Sequence, residues 1–126
     1  MRKAFESLTE KYHVDVVIQA HVHSYMRTFP VRDNARQPTG TAPVYVTVGN
    51  AGNTYVDHWF VVDTHYYPEP EWLAFRTLTF GVSHIKATRT SLVFTYSGDD
   101  DGGIHDSFTL RASEQAWRSE QRMLRG

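Results

Sequence analysis

Two histidines one residue apart, His21 and His23, close an apolar run in the stretch VDVVIQAHVHSYMRT, residues 14–28, and Tyr25 and Arg27 follow at the same spacing. In extended backbone successive side chains alternate faces, so the two imidazoles are expected to point one way and Val22 the other. Paired imidazoles at a strand end suit a metal ion, because neutral imidazole is the commonest metal ligand and a strand holds it more firmly than a loop. The competing reading is a pair of surface histidines capping a strand. There is no cysteine, so any metal must be held by nitrogen and oxygen.

Other residues offer less. His13 follows a helical pattern and reads as a surface or capping residue. His58 and His65 lie in an aromatic segment, and His84 and His105 in strand-like runs far in sequence from the pair. Asp99, Asp100 and Asp101 lack the spaced oxygens and final glutamate of a calcium loop and read as a hairpin turn. Asn50 and Asn53 are loop formers whose loop borders the candidate site.

The elements that must position these residues follow from periodicity. Residues 2–12 place Ala4, Phe5, Leu8 and Tyr12 at helical spacing, and residues 14–18 form an apolar strand expected to be covered on both faces. Residues 25–32 are extended but short, with Pro30 assigned to an edge or strand end, and 33–41 form a polar loop. A second buried strand spans 43–48 and stops at a Gly-Asn loop, 49–53. The segment 54–71 has no clear period, and 71–75 suggest a helical turn. From residue 80 three strand-like runs, separated at Thr90-Ser91 and at the acidic turn 99–103, form an antiparallel meander. A polar tail from residue 113 has helical spacing.

The 126 residues are 40% hydrophobic and 21% charged, which describes a folding chain of one small domain or a piece of a larger one. A net charge of -1 with scattered arginines gives no electrostatic case for nucleic acid. The N-terminal residues do not form a signal peptide, and no run of about 18 apolar residues would span a membrane.

The order of helix, VDVVIQAHVHSYMR, GTAPVYVTVGNAGN, an FGVSHIKATRTSLVFTYS meander and HDSFTL resembles the C-terminal portion of the purple acid phosphatases, in the calcineurin-like metallophosphoesterase superfamily. The resemblance implies an α/β (α+β) fold, the C-terminal part of a two-sheet αββα sandwich ending in an antiparallel β meander. Its parts would be the catalytic-domain portion at 1–79, the terminal meander at 80–111 and the tail at 112–126. It implies a dinuclear centre of Fe with Zn, Mn or Fe, with His21 on the divalent metal and His23 on the ferric ion. Tyr25 and Arg27 match the supporting positions of the motif. Ala20 stands where the family has glycine, and Met26 where it has a glutamate that could pair with Arg27.

The upstream aspartate, asparagine, tyrosine and histidine motifs of that centre do not occur, and two imidazoles cannot complete even a four-coordinate site. The resemblance therefore implies the C-terminal part of a secreted or vacuolar/lysosomal acid phosphatase, with Met1 an internal methionine. The parent would hydrolyse phosphate monoesters by metal-activated hydroxide, with this chain alone inactive and its partner the N-terminal part of the domain. The alternative is a non-catalytic β-rich binding module derived from the same fold.

Overall fold

The computed structural model describes residues 2–52 and 69–112. Asn53, His58, His65, most of the aromatic segment and the tail expected to be helical lie outside the described residues.

Helix α1 (Arg2–Lys11) ends where its pattern ends. His13 takes φ 50°, its N–H bonds the Glu10 carbonyl at 3.2 Å and the Val14 N–H bonds the Thr9 carbonyl at 2.9 Å. These are the two bonds of a Schellman cap, so His13 is the capping residue. The chain then enters β1 (Val16–Gln19), β2 (Tyr25–Arg32), β3 (Ala35–Arg36), β4 (Val44–Val48) and β5 (Leu73–Thr77). These form one five-stranded sheet in the order β1-β4-β2-β3, with β5 also on β2. The β1–β4 pair is parallel, and the remaining pairs are antiparallel. The second sheet is the expected meander, β6 (Gly81–Ala87), β7 (Ser91–Gly98) and β8 (Ile104–Arg111).

Three expectations are corrected. β2 is not a short edge strand: it is eight residues long and takes β4 on one side and β3 and β5 on the other. Pro30 is tolerated because the register slips between Arg27 and Pro30, and at that bulge the Thr28 hydroxyl accepts the Tyr45 N–H at 3.0 Å. The helical turn expected at 71–75 gives way to β5, where cross-strand pairing with β2 overrides local pattern. The polar loop 33–41 begins with a two-residue hairpin turn, Asp33 and Asn34 both at positive φ, which returns the chain into β3.

Residues paired across strands share a face, so Val44, Val46, Tyr25 and Arg27 all look toward the meander. There Tyr25, Val44 and Val46 meet Phe94 and Tyr96 as the buried core, with Val16, Val48, Phe75, Leu92, Phe108 and Leu110 around it. Tyr45 alternates to the other face and lies against Thr9 and Glu6 of α1, where burial raises its phenol above the ordinary value. The apolar strand β1 is less covered than its composition suggests, with Ile18 46% exposed.

Candidate functional site

β1 stops at Gln19, and residues 21–24 form a bend that returns the chain into β2. His21 has φ 89°, a region that non-glycine residues rarely occupy and that recurs at functional sites. The extended backbone expected to aim both histidines to one side is therefore absent, and strand alternation does not set their directions. His21 is exposed and His23 half-buried. Ala20 is also exposed and has no positive φ, so the missing glycine costs no backbone strain; the unusual dihedral falls one residue later.

The bend is held by backbone. Ser24 N–H bonds the Val22 carbonyl at 2.9 Å, and Gly49 N–H, just past β4, bonds the Ser24 carbonyl at 3.1 Å. Gly49 has to be glycine here, because a Cβ would lie 1.9 Å from the Val22 carbonyl oxygen. The Ser24 hydroxyl, immediately after His23, is buried without a hydrogen-bond partner.

Beyond the bend, Tyr25 and Arg27 turn into the protein and converge on Asp106 of β8. The Tyr25 hydroxyl donates to Asp106 Oδ2 at 2.8 Å. Arg27 Nε donates to the same oxygen at 2.6 Å and Nη2 to Oδ1 at 2.8 Å, a two-pronged ion pair. Tyr25 stacks on Tyr96 with ring centroids 4.0 Å apart. Burial, then the bond to Asp106, pushes the Tyr25 phenol far above the ordinary tyrosine value. For Arg27 burial opposes the charge, and the Asp106 bonds outweigh it, leaving the guanidinium above its ordinary value.

Asn50, read from the sequence as a loop former, is buried, and its amide donates to the Tyr96 hydroxyl at 2.7 Å and to the Thr79 carbonyl at 2.5 Å. Met26 cannot stand in for the glutamate as a partner of Arg27, since neighbouring residues on β2 face opposite ways and Arg27 already has Asp106. Sequence reasoning gave no role to Asp106, Tyr96 or Gly49; the HDSFTL run contained Asp106, but an interaction across 79 residues has no local signature.

The described donors do not close a metal centre. Among the described residues, the group of three or more His, Asp or Glu side chains close enough to share an ion is Asp100, Asp101 and His105, not one containing His21 or His23. That group belongs to the β7–β8 turn, where His105 Nε2 meets Asp101 Oδ1 at 3.0 Å and the Gly98 N–H bonds the Gly103 carbonyl at 3.1 Å. The bond from the Gly103 N–H, then that from His105, holds the Asp101 carboxyl below its ordinary value. Two imidazoles can supply two nitrogen donors and nothing more, so no catalytic step belongs to these residues alone.

A mixed sheet packed on an antiparallel meander, with a histidine loop after the parallel edge strand, defines the C-terminal part of a metallophosphoesterase-type sandwich. Residues 42–107 match the family described as iron/zinc purple acid phosphatase-like protein C, and the chain belongs to the purple acid phosphatase family. It is 34% identical to purple acid phosphatase 1 of Ipomoea batatas over 95% of its length and 27% of that protein's. It is 29% identical to the Fe(3+)-Zn(2+) purple acid phosphatase 12 of Arabidopsis thaliana, covering 97% of this chain and 27% of that one. It is 31% identical to "Probable inactive purple acid phosphatase 27" of the same plant, covering 86% of this chain and 18% of that one. In structure it matches purple acid phosphatase PPD1 from yellow lupin (Lupinus luteus) seeds with a TM-score of 0.76 and 25% identity, over 89% of this chain and 20% of that one. The chain thus spans about a fifth to a quarter of the length of these relatives.

Proposed function

We propose that this chain is the C-terminal part of a dimetal acid phosphatase, that His21 and His23 each hold one ion of the centre, and that the chain does not hydrolyse phosphate esters alone. The observation that supports this is the His21–His23 bend itself: an exposed imidazole at positive φ, a half-buried one beside it and an orphaned Ser24 hydroxyl next in line. When bound, two metal ions neutralise the phosphate and supply hydroxide near neutral or acidic pH. This chain's part is to present the two nitrogens, with the remaining ligands coming from the N-terminal part of the domain.

The isolated chain is expected to show no metal-dependent turnover of an aryl phosphate. In the full-length protein, His21→Ala and His23→Ala should each lower both bound metal and rate. Full metal occupancy in both variants would refute the assignment.

One observation favours a second reading, a non-catalytic module: three of the similar proteins carry names marking them as inactive purple acid phosphatases. Full-length protein that binds no metal at wild-type sequence would select it.

A further inference from the structure

We propose that Asp106, on the terminal meander, is the positioning residue for the histidine bend, so that the meander forms part of the metal-ligand scaffold. This rests on the assignment of His21 and His23 as ligands. Three observations carry it. The first is connectivity: Tyr25 is two residues from His23 and wholly buried, and one carboxylate oxygen of Asp106 takes both the Tyr25 hydroxyl and Arg27 Nε. With Oδ1 taking Arg27 Nη2, the carboxylate meets two side chains on one face of β2 and fixes where that strand starts.

The second is a β-bulge in β8. Tyr96 pairs with Asp106 but Ser97 pairs with Ile104, so His105 is the extra residue immediately before Asp106. Strand alternation puts Asp106 on the core face with Phe108 and Leu110, where it is 7% exposed, and the bulge ends that alternation immediately before it. The third is the far wall of the bend, where the Gly49 backbone packs against Val22 and bonds Ser24. The bend is thus clamped between Gly49 on one side and the Asp106-anchored start of β2 on the other. A buried ion pair adds little stability over an apolar pair of equal volume, so a directional, two-pronged one is better explained by the geometry it imposes.

The test uses the whole chain labelled with 15N, zinc as the only metal, and the variants Asp106→Asn, Asp106→Glu and Phe108→Leu. Phe108, on β8 like Asp106, stacks on Phe94 of β7 and has the Arg27 guanidinium 5.0 Å from its ring centroid, so Phe108→Leu removes packing around the ion pair while keeping the carboxylate. In Asp106→Asn, amide exchange at Ser24 and Gly49 should rise about tenfold relative to the β6–β7 ladder, and zinc should bind roughly tenfold more weakly, the lower end of losses for outer groups that orient ligands. Asp106→Glu should recover part of both, and Phe108→Leu should raise exchange evenly. If Asp106→Asn does not fold, Asp106→Glu must still loosen Ser24 and Gly49 more than the β6–β7 ladder. An even rise in the Asp106 variants, or unchanged zinc affinity where His21→Ala abolishes binding, overturns the proposal. Zinc binding that is indifferent to His21→Ala and His23→Ala overturns the ligand assignment instead, and the exchange comparison still decides the role of Asp106.

Discussion

Gly49→Ala puts one methyl group where the backbone of the histidine bend already is. The new Cβ would lie 1.9 Å from the Val22 carbonyl oxygen and 2.7 Å from its carbon, with ordinary contact beginning at 3.4 Å. The two segments must part by about 1.5 Å, and both are main chain, so no side-chain rotation relieves the clash. Parting them strains the Gly49-to-Ser24 bond at 3.1 Å and the Ser24-to-Val22 bond at 2.9 Å. Overpacking costs about 1 to 3 kcal/mol and a weakened hydrogen bond roughly 0.5 to 1.5, so about 2 to 4 kcal/mol is expected, a large share of a domain's net stability. Gly40→Ala is the comparison: nothing lies within 4 Å of its Cβ, and only its φ of +80° resists substitution, at about 1 to 2 kcal/mol. Urea unfolding of both variants, with amide shifts of residues 22–24, gives the answer. A loss in Gly49→Ala no larger than in Gly40→Ala, with those shifts unmoved, would refute the argument that this contact shapes the bend.

Met26→Glu restores the family's residue on the face away from Arg27, where Met26 pairs with Thr47 and Arg76; it should change stability by less than about 1 kcal/mol and leave the Arg27–Asp106 pair intact. A strong destabilisation in urea would contradict that placement. Burial raises the Tyr96 phenol above its ordinary value, so the native state keeps a proton that the unfolded chain releases. Stability from this group is therefore present below pH about 10 and falls as pH rises beyond it, and Tyr96→Phe should remove one proton from that slope, as read by unfolding between pH 9 and about 11. An unaltered slope in the variant would count against it. The chain alone should self-associate with rising concentration in sedimentation, because Phe5, Leu8, Tyr12 and Ile18 are 50%, 51%, 66% and 46% exposed. A monomer at every concentration with one sharp unfolding transition would refute this.

Local chemistry was readable in the sequence where local interactions decide structure. The helix, its histidine cap and the meander follow from spacing and turn residues. What failed was decided by pairing at a distance. β5 lies where pattern favoured a helical turn, because its partner β2 is some fifty residues earlier, in register Tyr25↔Thr77. β2 was reduced to an edge by Pro30, because the Thr28 hydroxyl that serves the bulge is visible only once Tyr45 is beside it. At the candidate site, spacing singled out His21 and His23 and gave them a strand, whereas the backbone turns at His21 with φ 89°. Asp106 carried no chemical signal of its own, being one acidic residue in a strand 79 positions from Arg27.

The distribution of open and closed surfaces bears on what the rest of such a protein must provide. The side of the five-stranded sheet that meets the meander is sealed by Tyr25, Phe94 and Tyr96, whereas β1 has β4 as its partner strand among the described residues. A parallel pair normally sits inside a sheet covered on both faces, and here the strand ends with exposed Gln19, Ala20 and His21. Further strands and ligands would have to arrive along that edge, beside the bend and its orphaned Ser24 hydroxyl. The Asp106 anchor reaches β2 from the meander. If His21 and His23 are the ligands that this chain contributes, the bend carrying them is held by its own backbone contacts with Gly49 before those further ligands arrive.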